Sequence, residues 1–209
     1  MDRVSAKYAF SKMADTKSDE IDIFTEDEVG AAIVETYLSP SLRERVKIRP
    51  IGSDQAVARQ LAAHYREDKK NCIAFVDGDK RTSGERLKRT VKTVLEDRVD
   101  DDFDSWIDTT LNFLPGDTWP ERYIVESVMA DANAVRTLSE MWEMPEDDIC
   151  ALLEKAYAAG KHQEFYSLAS SINLELTSVR RELVLCQSKF KHNDPEQIRE
   201  VTRRALHIS

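Results

Sequence analysis

The chain has 209 residues, 41% hydrophobic and 33% charged, with a net charge of −9; this suits one domain, or one with a large appendage, that has enough apolar material for a core and a largely helical surface. Six glycines and six prolines argue against disorder and against an all-β fold, and the acidic balance means that contact with nucleic acid needs a local basic patch or a metal bridge. No apolar run approaches the ~18 residues of a membrane span, the first residues lack a signal-peptide apolar stretch, and Cys72, Cys150 and Cys186 lie far apart in apolar contexts, so buried free thiols and a cytoplasmic protein with no membrane partner are expected.

Residues 1–19 are polar and aperiodic, and are expected to be a lead-in or linker. An alternation of strands and helices follows. Ile21 to Thr25 reads as a strand, and Asp27 to Leu38 as a helix with Val29, Ala32, Ile33 and Tyr37 on one face. Ser39-Pro40 ends that helix. Val46 to Arg49 is a second strand, and Ser53 or Asp54 caps the next helix, Gln55 to Asp68. Cys72 to Val76 is a third strand, a helix begins at Glu85, and Thr110 to Leu114 is a fourth strand. This order implies right-handed crossovers and a parallel sheet, whose ligands gather at the carboxyl ends of the strands.

Beyond Pro120 the pattern is helical, with helices expected at about 121–132, 134–143, 146–159, 162–172, 175–191 and 195–206. Pro145 and Pro195 stand where helix starts favour proline, and Gly160 where a helix ends. The fold class is therefore α/β: a parallel sheet with flanking helices over 20–120, followed by an all-helical region over 121–209.

Two acidic groups end hydrophobic strands. Glu26-Asp27-Glu28 follows the first, and Asp77-Gly78-Asp79 follows the third. With those strands adjacent, both groups reach one edge of the sheet. Oxygen ligands of this kind suit Mg2+ or Mn2+, although a polar turn and a helix N-terminus would have similar composition. Lys80 and Arg81 come next, and Arg86, Lys88, Arg89 and Lys92 follow. The run reads as a phosphate-backbone clamp or as a solvated helix face. His64, His162, His192 and His207 lack ligand spacing and are expected at the surface; Trp106, Trp119 and Trp142 are expected in the core.

The order glutamate after strand one, DxD after strand three resembles the TOPRIM domain, the metal-binding fold of topoisomerases, bacterial primases and nucleases of the OLD (overcoming lysogenization defect) family. The stretch FLPGDTWPERYI also resembles the segment after DxD in OLD-like proteins, with Glu121 as its acid. The resemblance covers about 20–125. It implies a Mg2+- or Mn2+-dependent endonuclease of DNA or RNA serving anti-phage defence. Glu26, Asp77, Asp79, Asp27 and Glu121 would hold the metal, Glu26 and Lys80 would be catalytic, and Lys80, Arg81, Arg86, Lys88 and Arg89 would bind nucleic acid. Two departures stand out. The family's second acid, four residues after the first, is Gly30 here, and no GxxxxGK(S/T) nucleotide-binding loop occurs. A P-loop ATPase would thus be a partner subunit or a missing N-terminal domain, and a homo-oligomer remains open. Two other readings stand beside this one: a non-catalytic partner-binding module, and, lower in rank, a receiver-type switch phosphorylated on Asp77.

Overall fold

The computed structural model describes residues 21–208; the expected lead-in over 1–19 lies outside them. Four parallel strands form one sheet in the order β2-β1-β3-β4: β1 Ile21–Thr25, β2 Val46–Pro50, β3 Cys72–Val76 and β4 Leu111–Phe113. β3 is buried along its whole length, as a central parallel strand covered on both faces must be. Side chains alternate across the sheet. Ile21, Ile23, Ile73 and Phe75 enter one core, and Phe24, Cys72, Ala74 and Val76 enter the other.

The second core is closed by α3 (Asp54–Arg66), α4 (Gly84–Leu95) and α5 (Phe103–Thr110). Leu87, Val91 and Leu95 recur at helical spacing and bury the inner stripe of α4. On the other face lies α1 (Glu28–Tyr37), which leads into the short α2 (Pro40–Arg43). Against α1 pack α6 (Pro120–Met129), α10 (Leu176–Phe190) and α11 (Asn193–Ile208), and on α6 and α10 pack α7 (Ala132–Trp142), α8 (Glu146–Ala158) and α9 (Glu164–Ile172). Leu138, Leu153, Phe165 and Leu183 of these helices share one apolar cluster with Ile23 and Phe75 of the sheet. A polar chain ties the layer to α1: Tyr37 donates to Gln187 in the interior, and Gln187 and Tyr123 both donate to the half-buried Asp194. Among the described residues, no helix is long and apolar enough to cross a membrane.

Three expectations are corrected. The fourth strand is shorter than Thr110–Leu114, and residues 103–110 before it form α5, which was not expected; Phe103 and Ile107, four apart, bury its inner face. Cys150 is exposed on the solvent side of α8, whereas Cys72 and Cys186 are buried thiols. Trp119 belongs to neither apolar cluster, whereas Trp106 and Trp142 pack against them.

Candidate metal centre

Strand register brings the two acidic groups together. Thr25 lies opposite Phe75, so the next residues, Glu26 and Val76-Asp77, leave the sheet side by side. The Asp77 N–H donates to Glu26 Oε1 at 2.9 Å, and the N–H of Asp54, the first residue of α3, donates to Glu26 Oε2 at 3.1 Å. Both oxygens of Glu26 are thus aimed by backbone. Burial, against the lowering effect of the Asp77 amide, holds its carboxyl above the usual range. Ser53 is the N-cap of α3, accepting from the Ala56 N–H, while Asp54 also faces Arg86 at 3.4 Å.

Asp27 caps α1: one of its oxygens accepts from the N–H groups of Val29 and Gly30, at 2.9 Å each. Glu28 is exposed. A Cβ at Gly30 would lie 3.3 Å from the Thr25 Cβ and 3.4 Å from Leu114 Cδ1. The packing beneath α1 therefore leaves little room for a side chain at position 30.

The Asp77-Gly78-Asp79 loop is pinned against a second loop. A Cβ at Gly78 would fall 2.3 Å from the Gly116 carbonyl oxygen, and Gly116 itself (φ 85°) lies on the Tyr123 ring. Only glycine allows both approaches. Asp77 is 5% exposed, and its Oδ1 has no hydrogen-bond partner. Burial, then Glu26, Asp27, Asp79 and Glu121, push its carboxyl up to about 8. Asp79 differs. Burial opposes its charge, but the ammonium groups of Lys80 and Lys161, each 3.2 Å from Oδ2, hold its carboxyl below the usual range. Its Oδ1 is buried without a partner.

The helical layer supplies the far wall. Glu121, in the first turn of α6, is 5% exposed, and burial holds its carboxyl above the usual range despite its own N–H and His162. His162 Nδ1 lies 3.2 Å from each Glu121 oxygen. Lys161 and His162 occupy the α8–α9 loop, where Gly160 and His162 both have positive φ, 97° and 61°. The Lys161 ammonium also lies 5.3 Å from the centre of the Trp119 ring, whose Nε1 donates to the fully buried Glu164 at 2.7 Å. Lys161 is a site residue with no expectation attached to it, and His162 is exposed, as expected, yet meets Glu121. The local signal was a Gly-Lys-His loop between two helices, and nothing in its spacing pointed to acids 82 and 41 residues away.

The expected basic clamp is divided. Lys80 stays at the acids. Arg81 donates to the Leu114 carbonyl at 3.0 Å and faces Asp117, and Arg86 reaches Asp54. Lys88 pairs with Glu85 and Asp108, Arg89 donates to the Glu85 carbonyl, and Lys92 lies over Phe103.

The donors fit a hard divalent cation. Buried carboxylate oxygens without partners are costly, and a cation among Glu26, Asp27, Asp77, Asp79 and Glu121 would satisfy them. Among the described residues, no group of three His, Cys, Asp or Glu side chains is placed so that it could hold a metal ion, and Asp79 is turned to two lysines. A cavity of about 140 Å³ lies at the opposite end of the sheet, lined by Lys70, Asn71, Cys72 and Arg204, and includes none of these acids.

Fold and site together define a parallel α/β protein with an acidic cluster at the carboxyl ends of its inner strands, walled by a helical layer. No family model matches the sequence, and no curated protein matches it. Among solved structures, the chain is similar to the C-terminal region of the Xanthomonas campestris pv. campestris OLD protein. Its mercury-phased structure gives a TM-score of 0.49 at 13% identity, covering 91% of this chain and 97% of that one. The platinum-phased structure gives 0.48 at 14%, covering 90% and 94%, and the iodine-phased one 0.46 at 13%, covering 90% and 98%.

Proposed function

We propose that this chain is a divalent-ion-dependent nuclease that hydrolyses phosphodiester bonds of DNA or RNA, with a TOPRIM-type centre. One observation carries the reading: Asp77 is a nearly fully buried carboxyl with an unpartnered oxygen, and it feels the charge of four other carboxylates, Glu26, Asp27, Asp79 and Glu121. Glu26, Asp27, Asp77, Asp79 and Glu121 would hold the ion, Mg2+ or Mn2+. When bound, such an ion polarises a phosphoryl oxygen and acidifies an attacking water. Glu26, aimed by two amides and raised above the usual carboxyl range, suits the base that receives the water's proton. Lys80 and Lys161 both point at Asp79, so their ammonium groups stand where the negative charge of a phosphate would be stabilised. Arg81 braces the loop after β4, and Arg86 pairs with Asp54, whose N–H meets Glu26.

Anti-phage defence and a partnered P-loop ATPase extend this reading and rest on the sequence resemblance alone. The crowding at Gly30 favours a second reading, a module that binds a partner without cutting, because an acid of a paired-ion centre has little room there. The receiver alternative is weaker, since after β4 the described chain enters helices with no fifth strand to carry a lysine.

The test uses the full chain with plasmid and RNA substrates, Mg2+ or Mn2+, and any cognate ATPase. Cleavage is expected only with the ion, and Glu26→Gln should lower it by about 10² to 10⁴-fold while keeping the fold. Cleavage that never exceeds the Glu26→Gln background overturns the nuclease reading and leaves the partner-binding module.

A further inference from the structure

The cavity of about 140 Å³ at the end of the sheet remote from the acids lies between the start of β3, the last turn of α5 and the last turns of α11. Cys72, Ile73 and Thr110, each at most 3% exposed, make its floor. Trp106, Val201 and Ala205 add apolar surface. The indole is held in place: its Nε1 donates to the Lys70 carbonyl at 3.3 Å, and its ring packs on Tyr65 with centroids 4.7 Å apart. An apolar cavity of ~150 Å³ takes up benzene, so this volume admits one small ring.

The rim has a sign. Lys70 and Arg204 line the cavity, and Asp108 is the acid among its lining residues. Asp108 is taken up by Lys88 at 2.6 Å. The two cations are held more loosely. Lys70 lies 3.7 Å from Asp100, which already accepts from the Tyr65 hydroxyl, and Arg204 Nε lies 3.5 Å from Glu200. The C-terminus of α5 would bring negative character, but the Asn112 amide donates to the carbonyls of Thr109 and Thr110 at 3.1 Å each and satisfies them. An entering anion therefore meets two cations, and the one acid in the lining is already paired.

We propose that this cavity binds a small organic anion, a carboxylate about the size of benzoate, with its apolar body against Trp106, Ile73 and Val201 and its carboxylate between Lys70 and Arg204. An apolar floor with a few convergent polar groups is the usual build of a small-molecule site. The ligand ties α11 to β3 and α5. None of its residues belongs to the candidate metal centre, so the inference stands or falls apart from the nuclease reading.

Sodium benzoate titrated into the ¹⁵N-labelled full chain at constant ionic strength, followed by two-dimensional nuclear magnetic resonance, tests this. The Trp106 indole signal, identified with Trp106→Phe, should shift saturably, while those of Trp119 and Trp142 stay in place. Benzyl alcohol, the uncharged counterpart, should bind about fivefold or more weakly, as the loss of the ion pairs requires. Inorganic phosphate, an anion without the ring, should not reproduce the shift. Lys70→Gln with Arg204→Gln, both at the rim, should weaken benzoate by about five- to thirtyfold and leave benzyl alcohol unchanged. Ala205→Leu, which fills the cavity from α11, should abolish the response, with circular dichroism to check its fold. Several results would each overturn the inference: no saturable shift with benzoate, benzyl alcohol or phosphate binding as well as benzoate, undiminished benzoate affinity in the rim variant, or an unchanged response in a folded Ala205→Leu.

Discussion

Asp77→Asn should stabilise the metal-free protein at neutral pH and remove its response to divalent ions. Burial and four neighbouring carboxylates push the Asp77 carboxyl up to about 8, against ~3.9 in an unfolded chain. Between those values the folded state holds a proton that the unfolded state has lost. Stability falls with rising pH wherever the folded state binds the extra proton. The wild type should therefore be unaffected by Asp77 below about pH 4, lose stability through the window, and level off above about pH 8. At ~1.36 kcal/mol per pH unit, the loss by pH 7 is on the order of 4 kcal/mol. The amide removes the charge but keeps an unpartnered polar atom, so this is an upper bound. At ~2–4 °C per kcal/mol for a chain of this size, the gain in Tm is up to about 8–16 °C. The assay is thermal melting of both proteins in chelator from pH 5 to pH 8. The gap should widen with pH, and an unchanged gap refutes the argument from crowded acids. Mn2+ at ~100 times its Kd should stabilise the wild type by about 2.7 kcal/mol, and Asp77→Asn by far less.

Gly78→Ala drives a Cβ to 2.3 Å from the Gly116 carbonyl oxygen, backbone against backbone. It should cost about 1–3 kcal/mol, and an unchanged Tm would contradict the close approach of the two loops. Trp119→Phe removes the 2.7 Å bond to the fully buried Glu164, whose other oxygen has no partner. A loss of about 1–3 kcal/mol in denaturant unfolding is expected; none would mean that the bond does not anchor the α8–α9 loop. Lys80→Ala with Lys161→Ala should weaken nucleic-acid binding and lower the slope of log K against log salt by about 1.4–1.8, as two lost phosphate contacts would. An unchanged slope in binding titrations would assign both lysines to Asp79 alone.

Much of this architecture is local in origin. The run Cys72–Val76 is continuous and apolar because it is buried on both sides, and the acids at Glu26 and Asp77 mark where β1 and β3 stop. Helices after Pro120 announce themselves by the spacing of Ile149, Leu153 and Ala156 and by their proline and glycine boundaries. Residues 103–110 escaped because a helix of about two turns, running directly into a three-residue strand, carries too few repeats to separate one period from the other. Strand order then did what no local pattern can. Placing β1 between β2 and β3 set Glu26 between the Asp54 and Asp77 amides, and burial there raises its carboxyl against the lowering effect of the Asp77 amide. The same holds for Lys161 and His162. Their loop is legible as a helix–helix turn, but its landing on Asp79 and Glu121 follows from the packing of α8 and α9 against α6 and the sheet. Hydrophobic periodicity records which face of an element is buried; which distant side chain it meets there is set by the packing of the whole core.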